Sequence, residues 1–133
     1  HELALTLQQA AVQLSMKNGT LDEMLDAVEE QLDRYKSARS PREGVKAVHN
    51  LIGVFYHHCG NRRLDRSMVA IQGQMLLLRH IYAECPGWSG HAAELTALRD
   101  GVEDEDARAV CAALQSYMEQ STPAILKWLK EHE

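Results

Sequence analysis

A chain of 133 residues has the size of one ordinary domain and can build a hydrophobic core without disulfide staples. Its formal net charge of −5 argues against the domain itself gripping the phosphates of a nucleic acid, because that needs a concentrated basic face. The three cysteines show no CxxC spacing and indicate reduced thiols in a cytosolic protein. No apolar run approaches the roughly 18 residues of a membrane span, and we expect no membrane contact.

The first two predicted helices meet at an Asn-Gly turn. Leu and Ala recur at helical spacing over residues 3–17, and Gly19 is expected to end this helix in the left-handed conformation. Thr20 is predicted to begin the second helix as its N-cap. Glu23, three positions further on, would complete a capping box.

The next two helices carry stronger start signals. Ser40 is a predicted N-cap, followed by Pro41 at the first helical position and Glu43 at the third. Asn61 is assigned to capping the fourth helix, which is expected over residues 62–84.

The C-terminal part is predicted to hold three shorter helices. Their expected ranges are 90–100, 105–120 and 122–133. Ser89 would cap the first, an acidic turn over residues 101–106 would follow it, and Pro123 would begin the last. Short connections favour antiparallel neighbours, so the sequence predicts one all-α domain over residues 1–133, an antiparallel bundle of six or seven helices.

Three ring-bearing polar residues fall on the apolar stripes of different predicted helices: His49 on the third, His91 on the fifth and Tyr117 on the sixth. A buried polar group without a partner costs roughly 1–3 kcal/mol, so each must find one. Singly, each is typical of a core residue bonded to backbone. Jointly, they favour a pocket between the helices. The predicted ligand-binding residues are His49, Ile52, Met75, His91, Leu95 and Tyr117.

Metal binding and catalysis have weaker support. Two His and one Tyr are fewer than the four ligands of a closed zinc site, and Val45 and Gly53 stand where a second ligand beside His49 would be. His49 and His91 remain weak metal candidates. The sequence shows no GxSxG, P-loop or HExxH pattern, so we expect no enzyme and no cofactor, with a metal ion as the less favoured alternative.

Two segments resemble the FCD domain, the C-terminal effector-binding domain of GntR-family transcription regulators. Residues 58–64, His-Cys-Gly-Asn-Arg-Arg-Leu, resemble a helix junction of that family, and residues 91–98, His-Ala-Ala-Glu-Leu-Thr-Ala-Leu, resemble a later segment. The resemblance implies an all-α dimeric domain that follows a winged helix-turn-helix, which binds operator DNA. A start at His1 rather than Met is in keeping with such a domain lying upstream.

The resemblance also bears on metal. Many members hold a metal ion through one Asp and three His and bind small carboxylates over it. Counted from Asn61, the Asp position is Val48 and the first His position is Ile52, while the last His position falls at Tyr117. Only His91 matches, and the chain is more similar to a branch that binds acyl-CoA without metal.

The sequence therefore predicts the ligand-sensing and dimerisation domain of a bacterial, cytoplasmic GntR-type regulator. A small carboxylate or acyl effector inside the bundle would modulate DNA binding. Two alternatives stay open: a helical protein-interaction module without a ligand, whose polar core residues only fix register, and a metal-binding FCD-type domain.

Overall fold

The computed structural model describes residues 2–18, 20–85 and 87–132. These residues form six α-helices and no strand, which confirms the all-α prediction. The helices are α1 (Glu2–Lys17), α2 (Leu21–Lys36), α3 (Pro41–His57), α4 (Arg62–Ala83), α5 (Ala92–Glu103) and α6 (Ala107–Glu131). The predicted cap at Gly19 lies outside the described residues, as does the predicted end of the last helix at Glu133.

Two of the predicted caps are confirmed. The Ser40 hydroxyl accepts a hydrogen bond from the backbone N–H of Glu43 at 3.2 Å, at the start of α3. The Asn61 side chain accepts from the N–H groups of Arg63 and Leu64 at 3.0 and 3.1 Å, at the start of α4. These bonds fix where the two helices that carry most of the candidate site begin.

The other two predicted capping bonds do not form. Thr20 occupies the N-cap position of α2 as predicted, but its hydroxyl pairs with Nδ1 of His58 at 3.2 Å and makes no capping bond. Ser89 does not cap α5, which begins at Ala92 with His91 in the cap position. The reason is that the backbone N–H of His91 donates to the Tyr35 hydroxyl, so the loop before α5 is held against α2. In both places a long-range hydrogen bond replaces the local one.

The predicted turn at residues 101–106 is shorter than expected. α5 continues to Glu103, and Asp106 caps α6 by accepting from the N–H of Ala109 at 3.1 Å. Gly101 makes this tight connection possible, since a Cβ there would lie 2.8 Å from a methyl group of Val110 on α6.

The predicted seventh helix is wrong as well, because α6 runs through Pro123 without a break. The side chain of Thr122 donates to the carbonyl oxygen of Met118 at 2.7 Å, just before the proline. Beyond the proline, Ile125 and Trp128 pack against a small cluster that includes Tyr82 and Cys85. This packing favours continuation of the helix over the break that the proline predicts.

α3 lies at the centre of the core, and most of its side chains are buried. It packs against α1, α2 and α4, while α5 packs between α2 and α6. α4 contacts α1, α3 and α6 along one stripe and leaves its opposite face exposed. Among the described helices, none combines the length and hydropathy that a membrane crossing needs.

Candidate functional site: a buried polar cluster around Arg79

The buried stripe of α4 contains a charged residue. Met68, Met75, Arg79 and Tyr82 are its buried members, and Arg79 is only 2% exposed. Nη1 of Arg79 donates to Nδ1 of His49 at 2.6 Å, whereas Nε and Nη2 make no well-formed hydrogen bond, although the Tyr117 hydroxyl lies close enough to interact with the guanidinium. Within the described part of the chain, no carboxylate lies at ion-pair distance from this guanidinium. The interior therefore holds a positive charge without a counterion.

Six further polar side chains adjoin this guanidinium directly or through one another. We call them, with Arg79, the Arg79 cluster: Gln8, His49, Tyr56, Arg79, Tyr82, His91 and Tyr117. They come from α1, α3, α4 and α6 and from the start of α5.

His49 is held neutral in this arrangement. A guanidinium can only donate, so Nδ1 of His49 must be the acceptor and the proton lies on Nε2. Burial lowers the pKa of His49 to about 4, and the neighbouring charges of Arg79 and His80 contribute to the shift. His49 therefore carries no charge at neutral pH.

Tyr56 and Tyr117 bring uncharged hydroxyl groups near the guanidinium, and Gln8 lies beside Tyr56. Burial raises the pKa of Tyr117 to about 12, an effect opposed by Arg79, and it raises the pKa of Tyr56 as well. The Gln8 amide lies close to the Tyr56 hydroxyl, yet both amide atoms and that hydroxyl are buried without a well-formed hydrogen bond. The Gln8 amide, the Tyr56 hydroxyl, and Nε and Nη2 of Arg79 are therefore buried polar groups with incomplete hydrogen bonding.

His91 connects the cluster to α5 and α6. Its ring packs edge-on against Tyr117 with centroids 4.7 Å apart, and its Nε2 lies 2.5 Å from the Tyr82 hydroxyl. Nδ1 faces a carboxylate oxygen of Glu94 at 3.8 Å, which favours the tautomer with the proton on Nδ1. Tyr82 is then the donor to Nε2. Burial lowers the pKa of His91, opposed by Glu94, whose other oxygen accepts from Gln120 at 2.6 Å.

The three predicted polar residues thus belong to one connected cluster. His49 touches Arg79, Arg79 interacts with Tyr117, and Tyr117 packs on His91. The two imidazoles lie at opposite ends of this chain of contacts, joined by a residue that the sequence did not single out. The predicted apolar lining residues all lie in the main core: Ile52, Met75 and Leu95. Their role in lining a ligand site stays a prediction.

Arg79 is the principal residue that the sequence interpretation missed. The sequence did indicate its inward position, since residue 79 is four residues after Met75 and therefore lies on the same helical face. Gln8 has a similar signal, four residues before Val12, which is fully buried. An arginine or glutamine on an apolar stripe normally bends its polar end to solvent, and only the packing shows that these two do not.

Two cavities open between α3 and α4, and both are lined by His49 and Asn50. The larger has a volume of about 710 Å³ and includes Lys46 and His80 in its wall. The smaller, about 430 Å³, reaches the buried Tyr56. The side of the Arg79 cluster formed by His49 and Tyr56 is therefore accessible from the surface.

A family model, the FCD domain, matches residues 1–120 of the chain. The chain belongs to the FCD domain family. FCD domains are regulatory domains of GntR-type transcription regulators, so the expected membership is confirmed. A search of curated proteins returned no match to the chain.

The metal ion that the family resemblance implies does not fit the donors of this FCD domain. Val48 and Ile52, at two of the implied ligand positions, are buried aliphatic residues. The described residues contain no group of three or more His, Cys, Asp and Glu side chains that could hold a metal ion. His49 is bonded to the Arg79 guanidinium, whose positive charge would repel a cation placed beside it.

Proposed function

We propose that this FCD domain is the ligand-sensing and dimerisation domain of a bacterial, cytoplasmic GntR-type regulator. A small organic effector binds in the Arg79 cluster and modulates the binding of operator DNA by a domain upstream of residue 1. The domain itself catalyses no reaction. The family membership supports the regulatory role, and the buried cluster supports the location of the effector.

One observation supports the effector site: several polar atoms from three helices are buried together without well-formed hydrogen bonds. They are the two amide atoms of Gln8, the Tyr56 hydroxyl, and Nε and Nη2 of Arg79. Each was hydrated in the unfolded chain, and leaving one unsatisfied costs roughly 1–3 kcal/mol. A polar ligand that bonds to them would recover part of this cost. In a ligand-free interaction module, the same groups would fix the register of the helices but would not recover this cost.

α4 provides a physical connection between effector and dimer. Its inner face carries Arg79, and its outer face carries Val69, Gly73 and Leu77 at four-residue spacing, all exposed to solvent. This outer apolar strip supports α4 as the surface that a second copy of the domain covers. A ligand that displaces Arg79 or restricts its motion would shift α4. Because α4 would also form the dimer contact, this shift would change the populations of two dimer arrangements.

Thermal unfolding with a panel of small carboxylates, their amides and acyl-CoA thioesters tests the proposal. At least one compound should raise Tm, because a ligand that binds only the folded state stabilises it by mass action. His91→Phe should keep an aromatic ring against Tyr117 and abolish that increase in Tm. His132→Phe, at an exposed position near the end of α6, is the matched control and should retain it.

If no compound stabilises the wild-type chain, the effector proposal fails and the ligand-free interaction module becomes the better description. An unchanged increase in Tm in His91→Phe would instead place the effector away from the cluster.

A further inference from the structure

The larger cavity between α3 and α4, of about 710 Å³, has two walls of different chemistry. Its volume is that of a site for a small organic molecule. The α3 wall is polar, because Arg42, Lys46 and His49 follow one another at three- or four-residue spacing on one helical face. The α4 wall has an apolar part formed by Leu76 and Ala83. The cavity can therefore hold a charged group on one side and a carbon skeleton on the other.

The α3 wall carries positive charge that no described carboxylate pairs with. Arg42 and Lys46 are exposed, and neither makes an ion pair with a described residue. Both lie in the first two turns of α3, near the positive end of its helix dipole. On the opposite wall, His80 adds an imidazole, and Glu84 at the end of α4 is the one acidic residue among the described residues that line the cavity. In a chain of net charge −5, this cavity is therefore locally positive.

His49 gives the cavity a hydrogen-bond donor that the fold holds in place. Its Nδ1 accepts from Arg79, so the proton lies on Nε2. Nε2 bonds to no described residue and is not among the enclosed polar atoms, so its N–H is accessible from the cavities that His49 lines. The positive charge of Arg79 lies directly behind the ring and favours an anion as the acceptor of this N–H.

We propose that this cavity is a second ligand site, which binds the phosphate group of a small phosphorylated organic molecule. The phosphate accepts from the Nε2–H of His49 and pairs with Lys46 and Arg42. A phosphate monoester has three terminal oxygens and a charge of about −1.5 to −2 at neutral pH, whereas a carboxylate has two oxygens and one charge. The three donors of the α3 wall therefore match a phosphate better than a carboxylate, and the organic part of the molecule packs on Leu76 and Ala83.

Proton–nitrogen correlation NMR of the chain, titrated with phenyl phosphate at constant ionic strength, tests the site. The backbone amides of residues 42–50 and 80–84 and Nε2 of His49 should shift with one saturable dissociation constant. Benzoate, which has the same ring with a carboxylate, should bind there at least about 3-fold more weakly, and so should inorganic phosphate, which lacks the ring. Equal binding of either probe at these residues overturns the proposal. Shifts at Arg42 and Lys46 that leave Nε2 of His49 unmoved overturn it as well.

Lys46→Gln should raise the dissociation constant of phenyl phosphate about 3–10-fold, because one charge-assisted contact is lost. The Lys46 side chain is exposed, so the variant should fold, and an otherwise unchanged NMR spectrum checks this. Lys36→Gln removes the same charge at an exposed position at the end of α2, outside the cavity, and should bind as wild type does. Equal weakening in both variants would show that only the net charge of the chain attracts the ligand, and would overturn the proposal. Its failure leaves the effector site in the Arg79 cluster standing, because the Tm response of His91→Phe tests that site separately.

Discussion

The hydrogen bond from Arg79, a residue that can only donate, sets the protonation state of His49. Because Arg79 provides the proton, protonating His49 would break that bond and place two positive charges next to each other. His91 is kept neutral mainly by its burial. The cluster therefore presents one fixed positive charge and two neutral imidazoles, an arrangement that favours an anion over a cation.

The two histidines make the stability of the fold depend on pH. The pKa of His49 is about 4 when folded, against 6.5 for a histidine freely exposed to water, so between these values the unfolded chain binds more protons. The pKa of His91 is lowered in the same direction. The contribution of these two histidines to the free energy of unfolding should therefore be fully present above pH 6.5 and should fall as the pH drops toward 4. His49 contributes about 1–2 kcal/mol of it, after allowance for partial solvent access.

Urea unfolding of wild type and His49→Gln at several pH values between about 4 and 7 checks this expectation. The variant should show a smaller loss of unfolding free energy at low pH, because its side chain does not titrate. His57→Gln, at an exposed position on the same helix, should behave as wild type. Parallel curves for wild type and His49→Gln would show that His49 is not held neutral by the fold.

At the scale of residues, the sequence predicts which side chains lie inward better than it predicts which side chains they contact. Helical spacing placed His49, His91 and Tyr117 on inward faces, and the structure joins them in one cluster. The same spacing could not show that Arg79 stays inside, since a long flexible side chain on an apolar face usually reaches water. Only tertiary packing leaves its guanidinium enclosed.

At the scale of elements, the sequence predicted helix caps correctly where no distant side chain bonded to the capping residue or its loop. Ser40 and Asn61 cap their helices as predicted, through bonds to backbone N–H groups two or three positions further on. Thr20 instead bonds to His58, and the loop before α5 is held by Tyr35, whose hydroxyl donates to the carbonyl oxygen of Trp88 at 3.0 Å. Such bonds span 38 to 56 positions along the chain, which no local pattern can reveal.

The same loop depends on a glycine of α3. A Cβ at Gly44 would overlap the indole ring of Trp88, so Gly44→Ala must displace that ring and loosen the loop that carries His91. We expect the unfolding free energy to fall by about 1–3 kcal/mol, as in overpacked cores. Gly53→Ala, on the same helix, meets no atom closer than 4.0 Å and should instead stabilise by about 0.5–1 kcal/mol.

Urea unfolding of the two variants measures these changes in unfolding free energy, which are expected to have opposite signs. A gain of stability in Gly44→Ala equal to that in Gly53→Ala would mean that Trp88 does not pack on α3 in solution. The response of Gly44→Ala to the effector is a second readout. Displacement of the loop should weaken it, because His91 loses the bond from its N–H to Tyr35.

At the scale of the whole molecule, α4 presents different kinds of residue on two opposite faces. Arg79 lies inward and Leu77, two residues earlier, lies outward, so a rotation of this helix affects both at once. Val69 is 69% exposed and Leu77 63%, and both are among the large hydrophobic side chains that the fold leaves in solvent. Their position on one face of the helix supports the proposal that a second copy of the domain covers this face.

Leu77→Glu tests this face as the dimer interface. A carboxylate in the centre of an apolar contact would be buried without a partner, so the variant should shift toward monomer and raise the dimer dissociation constant by about 10-fold or more. Light scattering during size-exclusion chromatography, over a range of concentrations, measures the change. Leu126→Glu on α6, at a residue 57% exposed, is the matched control and should dimerise as wild type does. Dissociation in Leu126→Glu and not in Leu77→Glu would move the interface to α6 and separate it from the helix that carries Arg79.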